Sequence, residues 1–190
     1  MTAPWERARL PDYLAEGLAI VFVGINPGRR SAERGHHFAG PGNHFWRLLY
    51  DSGLTPALLS PEEDSRLLEY GYGLTNLAAR PTRGAADLTA EEMRRGGERL
   101  RGLVRRWRPA VACLLGKDVY RHYAGLPGGA RFDWGRQPGP VVAGVCDFVA
   151  PNPSGRSAVP YEQRLAWFRR LRRLALELGG EGTLGAGRAD

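Results

Sequence analysis

Three glycine-bearing segments carry side chains that could act on a ligand: Gly24-Ile25-Asn26-Pro27-Gly28, Gly116-Lys117 and Asn152-Pro153-Ser154-Gly155-Arg156-Ser157. Each follows an apolar run. In the first, Pro27 fixes its own backbone and biases Asn26 away from the helical region, while Gly24 and Gly28 let a ligand approach the main chain closely. An asparagine held in this way can aim its carbonyl oxygen at a water and its nitrogen at an acceptor. It cannot remove a proton at neutral pH, because an amide has no useful basicity. An ordinary turn accounts for either Asn-Pro pair taken alone. Two such loops, each closing an apolar run, would face one another across one cleft. The first loop lacks the Gly-Lys-Ser/Thr ending of a Walker loop and the three glycines of a dinucleotide fingerprint.

The elements that must hold these loops alternate in type. Leu18 to Val23 (LAIVFV) and Ala110 to Leu115 (AVACLL) are short, β-branched apolar runs ending at glycine, and Val141 to Ala150 (VVAGVCDFVA) ends at Pro151. They read as buried strands, with Gly73 to Leu77 as a weaker fourth. Asn43 can cap a helix running through Tyr50. Met93 to Arg108 places Leu100, Leu103, Val104 and Trp107 at helical spacing, and Tyr161 to Leu178 does the same with Leu165, Phe168, Leu171, Ala175 and Leu178. Alternating strands and helices predict an α/β fold, a three-layer α/β/α sandwich around a mainly parallel sheet. In such sheets ligands bind beyond the carboxyl ends of the strands. One domain is expected over residues 1–178, with 179–190 (GGEGTLGAGRAD) too poor in apolar residues to pack and expected as a flexible tail.

Composition narrows the partners. The chain has 190 residues and a formal net charge of +7, and Lys117 is the only lysine among its 27 basic residues. An arginine-rich surface suits phosphate oxygens, although arginine-favouring codon usage gives the same skew. The arginines of the last helix (Arg164, Arg169, Arg170, Arg172, Arg173) are expected on a solvated face, with a DNA-facing patch as the other reading. Cys113 and Cys146 lie in apolar runs and fit reduced thiols in a cytoplasmic protein. No stretch reaches the roughly 18 apolar residues that span a bilayer, and the N-terminus lacks the order of a signal peptide. His36 and His37 have no cysteine or acidic spacing suited to a metal site, and His44 beside a helix start has an equally ordinary reading.

Taken together, GINPG (24–28), Phe38-Ala39, Asn43-His44-Phe45-Trp46, Arg80-Pro81-Thr82, Gly116-Lys117 and NPSGRS (152–157) resemble the mismatch-specific uracil-DNA glycosylase and thymine-DNA glycosylase family. The matches keep the family's order from about Ala19 to Leu178. The resemblance implies a uracil-DNA glycosylase-like fold and hydrolysis of the bond between a flipped base and its deoxyribose, with no metal or organic cofactor. It implies double-stranded DNA carrying G·U or related mispairs as the partner, bound by a monomer. A base inside a duplex cannot be attacked in place, so it must be extruded at a cost of a few kcal/mol, least for a mispair.

Residue by residue, the resemblance makes Asn26 the group that positions the attacking water. Gly24, Ile25, Gly28, Ser31 and Phe38 become the base pocket, with Phe38 stacking on the flipped base. Residues 152–157 become the loop that enters the duplex, with Arg156 as the wedge where some relatives carry an apolar residue, and with Gly155 and Ser157 meeting the widowed guanine. Asp87, in the segment RPTRGAADL, is a candidate carboxylate helper for the water and equally a candidate cap for the following helix. Strand cleavage through a Schiff base would need an amine, and Lys117 stands where the family's Gly-Lys pair is not the nucleophile. A monofunctional enzyme leaving an abasic site is therefore expected. Two readings of other classes stay open: a non-catalytic DNA-damage or nucleic-acid binding module, and a hydrolase of free nucleotides.

Overall fold

The computed structural model describes residues 3–179. Its centre is a five-stranded sheet of β1 (Ile20–Gly24), β2 (Tyr72–Asn76), β3 (Val111–Leu115), β4 (Gly135–Arg136) and β5 (Cys146–Ala150), in the order β2-β1-β3-β5-β4. The four longer strands run parallel and the two-residue β4 pairs antiparallel at the edge. The helices are α1 (Arg29–Arg34), α2 (Phe45–Asp51), α3 (Ala90–Trp107), α4 (Lys117–Ala124) and α5 (Tyr161–Gly179), with a 3-10 segment at Pro61–Tyr70.

Strand periodicity builds the three layers. In β1, Ile20 and Phe22 point into one core with Phe45, Leu48 and Leu49 of α2 and Leu165, Phe168 and Leu171 of α5. Val21 and Val23 point the other way, joining Leu100 and Val104 of α3 and Val119, Tyr120 and Tyr123 of α4. β3 divides likewise, Val111, Cys113 and Leu115 to the first side and Ala112 and Leu114 to the second. The expected mainly parallel α/β/α sandwich is thus the observed fold. Full burial on both faces also explains why these strands read as continuous apolar runs.

Several boundaries differ from expectation for local reasons. The helix expected to be capped by Asn43 starts at Phe45 with His44 as the cap residue, and the Asn43 side chain instead accepts a hydrogen bond from Phe45 N at 2.9 Å. α3 begins at Ala90, because Thr89 and Glu92 close a reciprocal capping box. β5 begins only at Cys146. The preceding 141–145 stretch forms turns, and the Val141 amide is drawn to the Asp147 carboxylate at 2.7 Å. α5 runs through Gly179, where the expected tail starts, and residues 180–190 lie outside the described residues. No helix among the described residues is long and apolar enough to cross a membrane.

Asp147 is 1% exposed on the α3–α4 side of the sheet. Its Oδ1 and the neighbouring Tyr123 hydroxyl are both buried. Burial pushes the carboxyl up to about 6 from an ordinary 3.8. The folded state therefore holds this proton more tightly than the unfolded chain. That contribution to stability is complete below about pH 4 and is lost as the pH rises through about 6. We predict that Asp147→Asn stabilises the fold at pH 8 by on the order of 2 kcal/mol and has little effect at pH 4, as read by urea unfolding at both values. Equal effects at the two pH values would contradict this assignment.

Candidate active site

Parallel pairing of β1 with β2 sets Gly24 beside Asn76, so the loops that follow both strands leave the sheet side by side. They are then joined. Thr82 N donates to Pro27 O at 3.1 Å, and Gly28 and Thr82 form a parallel bridge. The Asn26 side chain completes the seam: Nδ2 donates to Arg80 O at 2.9 Å and to Thr82 Oγ1 at 2.7 Å. The Thr82 hydroxyl spends its own proton on Gly84 O at 2.7 Å and so can only accept from Asn26. A flipped amide would turn its oxygen onto the Arg80 carbonyl. The orientation is thereby fixed, both amide protons are used, and Oδ1 is the end left for another donor.

Asn26 lines a cleft of about 750 Å³ at the carboxyl ends of the strands. Gly24, Ile25, Gly28, Ser31 and Phe38 line it too, as expected. Phe38 has a left-handed backbone (φ 53°), unusual for a residue with a side chain. Its ring stacks on Phe45 with centroids 4.0 Å apart, and the Ser31 hydroxyl accepts from Ala39 N at 3.0 Å, which pins the turn from the other end. The Ser31 hydroxyl, expected in the base pocket, holds the Phe38 turn. At Gly24 a Cβ would stand 2.5 Å from Asn76 Oδ1 and 3.5 Å from the Phe38 ring, so only glycine keeps this corner open.

Asn76 is a cleft residue that sequence reasoning missed. It is 8% exposed, and His37 behind it is 2% exposed. His37 Nε2 lies 2.8 Å from Pro11 O, an acceptor, so Nε2 carries the proton. Burial pushes this imidazole below its ordinary pKa and keeps it neutral, leaving Nδ1 to accept from Asn76 Nδ2 at 3.5 Å. This leaves Asn76 Oδ1 on the Gly24 side, at the floor of the cleft. The signal available in the sequence was a polar residue closing the weak strand GLTN.

The second loop forms the opposite wall through Asn152, Pro153, Ser154, Gly155 and Arg156. Ser157 does not line the cleft; its amide closes a turn onto Ser154 O at 3.0 Å. Asn152 Oδ1 accepts from Ser154 N at 2.8 Å, and Pro153 O accepts from His44 N at 2.9 Å. Gly155 packs on the opposing loop so tightly that a Cβ would meet Gly42 O at 2.6 Å. Arg164, expected on a solvated face, is instead buried at 4% exposure and donates to the Pro153 and Ser154 carbonyls. Burial and the neighbouring Arg164 and Arg47 charges push the His44 imidazole below its usual value.

The charges around the cleft are of one sign. Arg29, Arg30, Arg83 and Arg156 line it, and among the described residues no Asp or Glu does. Arg29 and Arg30 share Glu33, whereas exposed Arg83 and Arg156 form no ion pair among the described residues. Asp87 is not brought to the cleft. It sits in a 3-10 turn (Ala85–Asp87), its carboxylate accepts from Gly84 N at 3.1 Å, and it borders a separate depression with Trp5 and Arg7. Nor does it cap α3, since Thr89 holds that position. Lys117 is also outside the cleft, donating to Phe132 O at 2.8 Å beneath the Phe132 and Trp134 rings. No group of three potential metal ligands occurs among the described residues.

In overall structure the chain is similar to a candidate uracil DNA glycosylase from Methanosarcina acetivorans, solved by NMR in solution, with a TM-score of 0.63 and 20% sequence identity. The likeness covers 88% of this chain and 98% of that one and concerns the fold. The sequence model of the uracil DNA glycosylase superfamily matches residues 11–175, a span that contains both Asn-Pro loops and every strand. On that match, the chain belongs to the uracil DNA glycosylase superfamily.

Proposed function

We propose that this protein is a DNA repair enzyme that flips uracil out of mismatched duplex DNA, chiefly from G·U pairs, and hydrolyses its N-glycosidic bond. Thymine or damaged pyrimidines are lesser substrates in this reading. The observation that carries it is the Asn26 amide, fixed by Arg80 and Thr82, on the wall of a cleft that, among the described residues, bears arginines and no carboxylate and leaves the amide oxygen free.

The flipped base stacks on Phe38, a contact worth roughly 1–3 kcal/mol in single-strand systems. Asn76 at the cleft floor offers its amide oxygen to a donor on the polar edge of the base. With no carboxylate at hand, the bond to the base breaks largely before water adds, and the deoxyribose takes on oxocarbenium character. Such a cation needs an oriented water more than a strong base. Asn26 Oδ1 accepts a hydrogen bond from that water and aims its lone pair at the sugar. The cleft arginines favour the leaving base as its negative charge develops. Arg156 and the second loop fill the space left in the duplex. The only lysine is tied to Phe132 outside the cleft, so no lysine amine is offered to the sugar, and the product in this reading is an intact strand with an abasic site.

The direct test is a labelled G·U duplex incubated with the protein and then treated with alkali. Strand breaks are expected with the wild type and, for Asn26→Ala, a single-turnover rate lower by about two orders of magnitude or more, as when a positioning group is lost. Asp87→Asn should stay within about threefold, because its carboxylate serves its own turn. Tight binding to abasic DNA without turnover would favour a binding module, and action on free deoxyuridine nucleotides alone would favour a nucleotide hydrolase. Arg156→Ala should lower the slope of log affinity against log salt by about 1 if it meets one phosphate. Borohydride should trap no covalent protein–DNA adduct, and a Lys117-dependent adduct would overturn the monofunctional mechanism.

A further inference from the structure

Arg164 is the one charged side chain in the first turn of α5 that is withdrawn from solvent, at 4% exposure. It forms no ion pair among the described residues, and its Nε is buried with no acceptor. A buried guanidinium without a carboxylate is costly, and an apolar side chain of similar volume would fill the same space more cheaply. Its guanidinium lies 5.9 Å from the centre of the Tyr161 ring, and both of its hydrogen bonds go to one place. Nη1 donates to Pro153 O at 3.2 Å and to Ser154 O at 3.1 Å, two successive carbonyls of the second cleft loop.

Peptide geometry turns this contact into a directional device. A trans peptide is planar, with its C=O and N–H on opposite sides. Drawing the Ser154 carbonyl down onto Arg164 therefore turns the Gly155 N–H away from the core. Gly155 is exposed, and its amide has no acceptor among the described residues, whereas Ser154 N, Arg156 N and Ser157 N are all bonded within the loop. Pro153 O is held from a second side by His44 N, so the loop is fastened to the starts of both α2 and α5.

We propose that Arg164 is a positioning residue that holds the Ser154–Gly155 peptide so that the free Gly155 N–H and the neighbouring Arg156 face the strand opposite the excised base, and that it thereby sets the enzyme's preference for the opposite base. This rests on the reading of the cleft as a uracil-excision site. Arg164 itself touches neither base nor sugar, so its loss should act only where a partner base must be displaced and recognised.

The test compares wild type, Arg164→Met and Arg164→Lys by kcat/KM on uracil opposite guanine, opposite adenine, and in a single strand. For Arg164→Met we expect a loss of about tenfold on G·U and a G·U to A·U ratio pulled towards 1, with single-strand activity within about threefold of wild type. Arg164→Lys, which keeps a cationic donor near the two carbonyls, should restore most of the ratio even if the methionine variant folds poorly. Parallel losses on all three substrates, as a general structural role produces, or an unchanged ratio in both variants would overturn the proposal. Absence of uracil excision by the wild type would sink the functional reading instead. The loop proposal is then decided by affinity for a duplex with a stable abasic-site analogue opposite guanine or adenine, where Arg164→Met should again erase the difference and an intact difference refutes it.

Discussion

Two hydrogen bonds from one amide organise the cleft: Asn26 Nδ2 to the Arg80 carbonyl and to the Thr82 hydroxyl. Their effect depends on a third, from Thr82 to Gly84 O, which makes the hydroxyl an acceptor only. The sheet supplies the starting geometry, since the register Gly24 to Asn76 brings the ends of β1 and β2 level. The bonds Leu77 N to Gly24 O and Ala78 N to Ile25 O carry the pairing past the strands into the loops. Without that alignment the Asn26 side chain would meet water, and its amide would have no preferred direction. The apolar layers on both faces of the sheet keep these strands in register, and the chemistry inherits its precision from them.

Charge is distributed to match. Many arginines are paired along helices, as Arg94 and Arg95 are with Glu91 and Arg121 with Asp118, and exposed pairs of this kind contribute little to stability. At the cleft mouth Arg83 and Arg156 have no carboxylate partner among the described residues, and none of those lining the cleft is an Asp or Glu that would compete with an incoming polyanion. The arginine skew of the composition thus has an ordinary share on the helix faces and a smaller share placed for a ligand. Lys117 belongs to neither, being held among Phe132 and Trp134.

Much of the fold could be read from the sequence because its strands are buried on both faces and run apolar without interruption. The two Asn-Pro loops were legible because proline and glycine leave few backbone conformations at a strand end. What escaped depended on partners distant in sequence. α1 and α4, with six and eight residues, are too short for a clear period. Asp87 looked equally suited to catalysis and capping, yet its own turn takes its carboxylate. Arg164 looked like one arginine among several on a polar face, and only the path of the 152–157 loop shows why it is buried. Asn76 lay in plain view in the weakest strand, and nothing local distinguishes it until β1 stands beside it.

If the Asn26 amide works because Thr82 orients it, the two residues must act as one unit in catalysis. The most direct measurement is a double-mutant cycle of single-turnover uracil excision from a G·U duplex with Asn26→Ala and Thr82→Val. The account predicts that Thr82→Val slows the native protein by about tenfold but adds almost nothing once Asn26 is alanine. Losses that multiply independently would mean that Thr82 acts by another route and that the amide is not the oriented group on which excision depends.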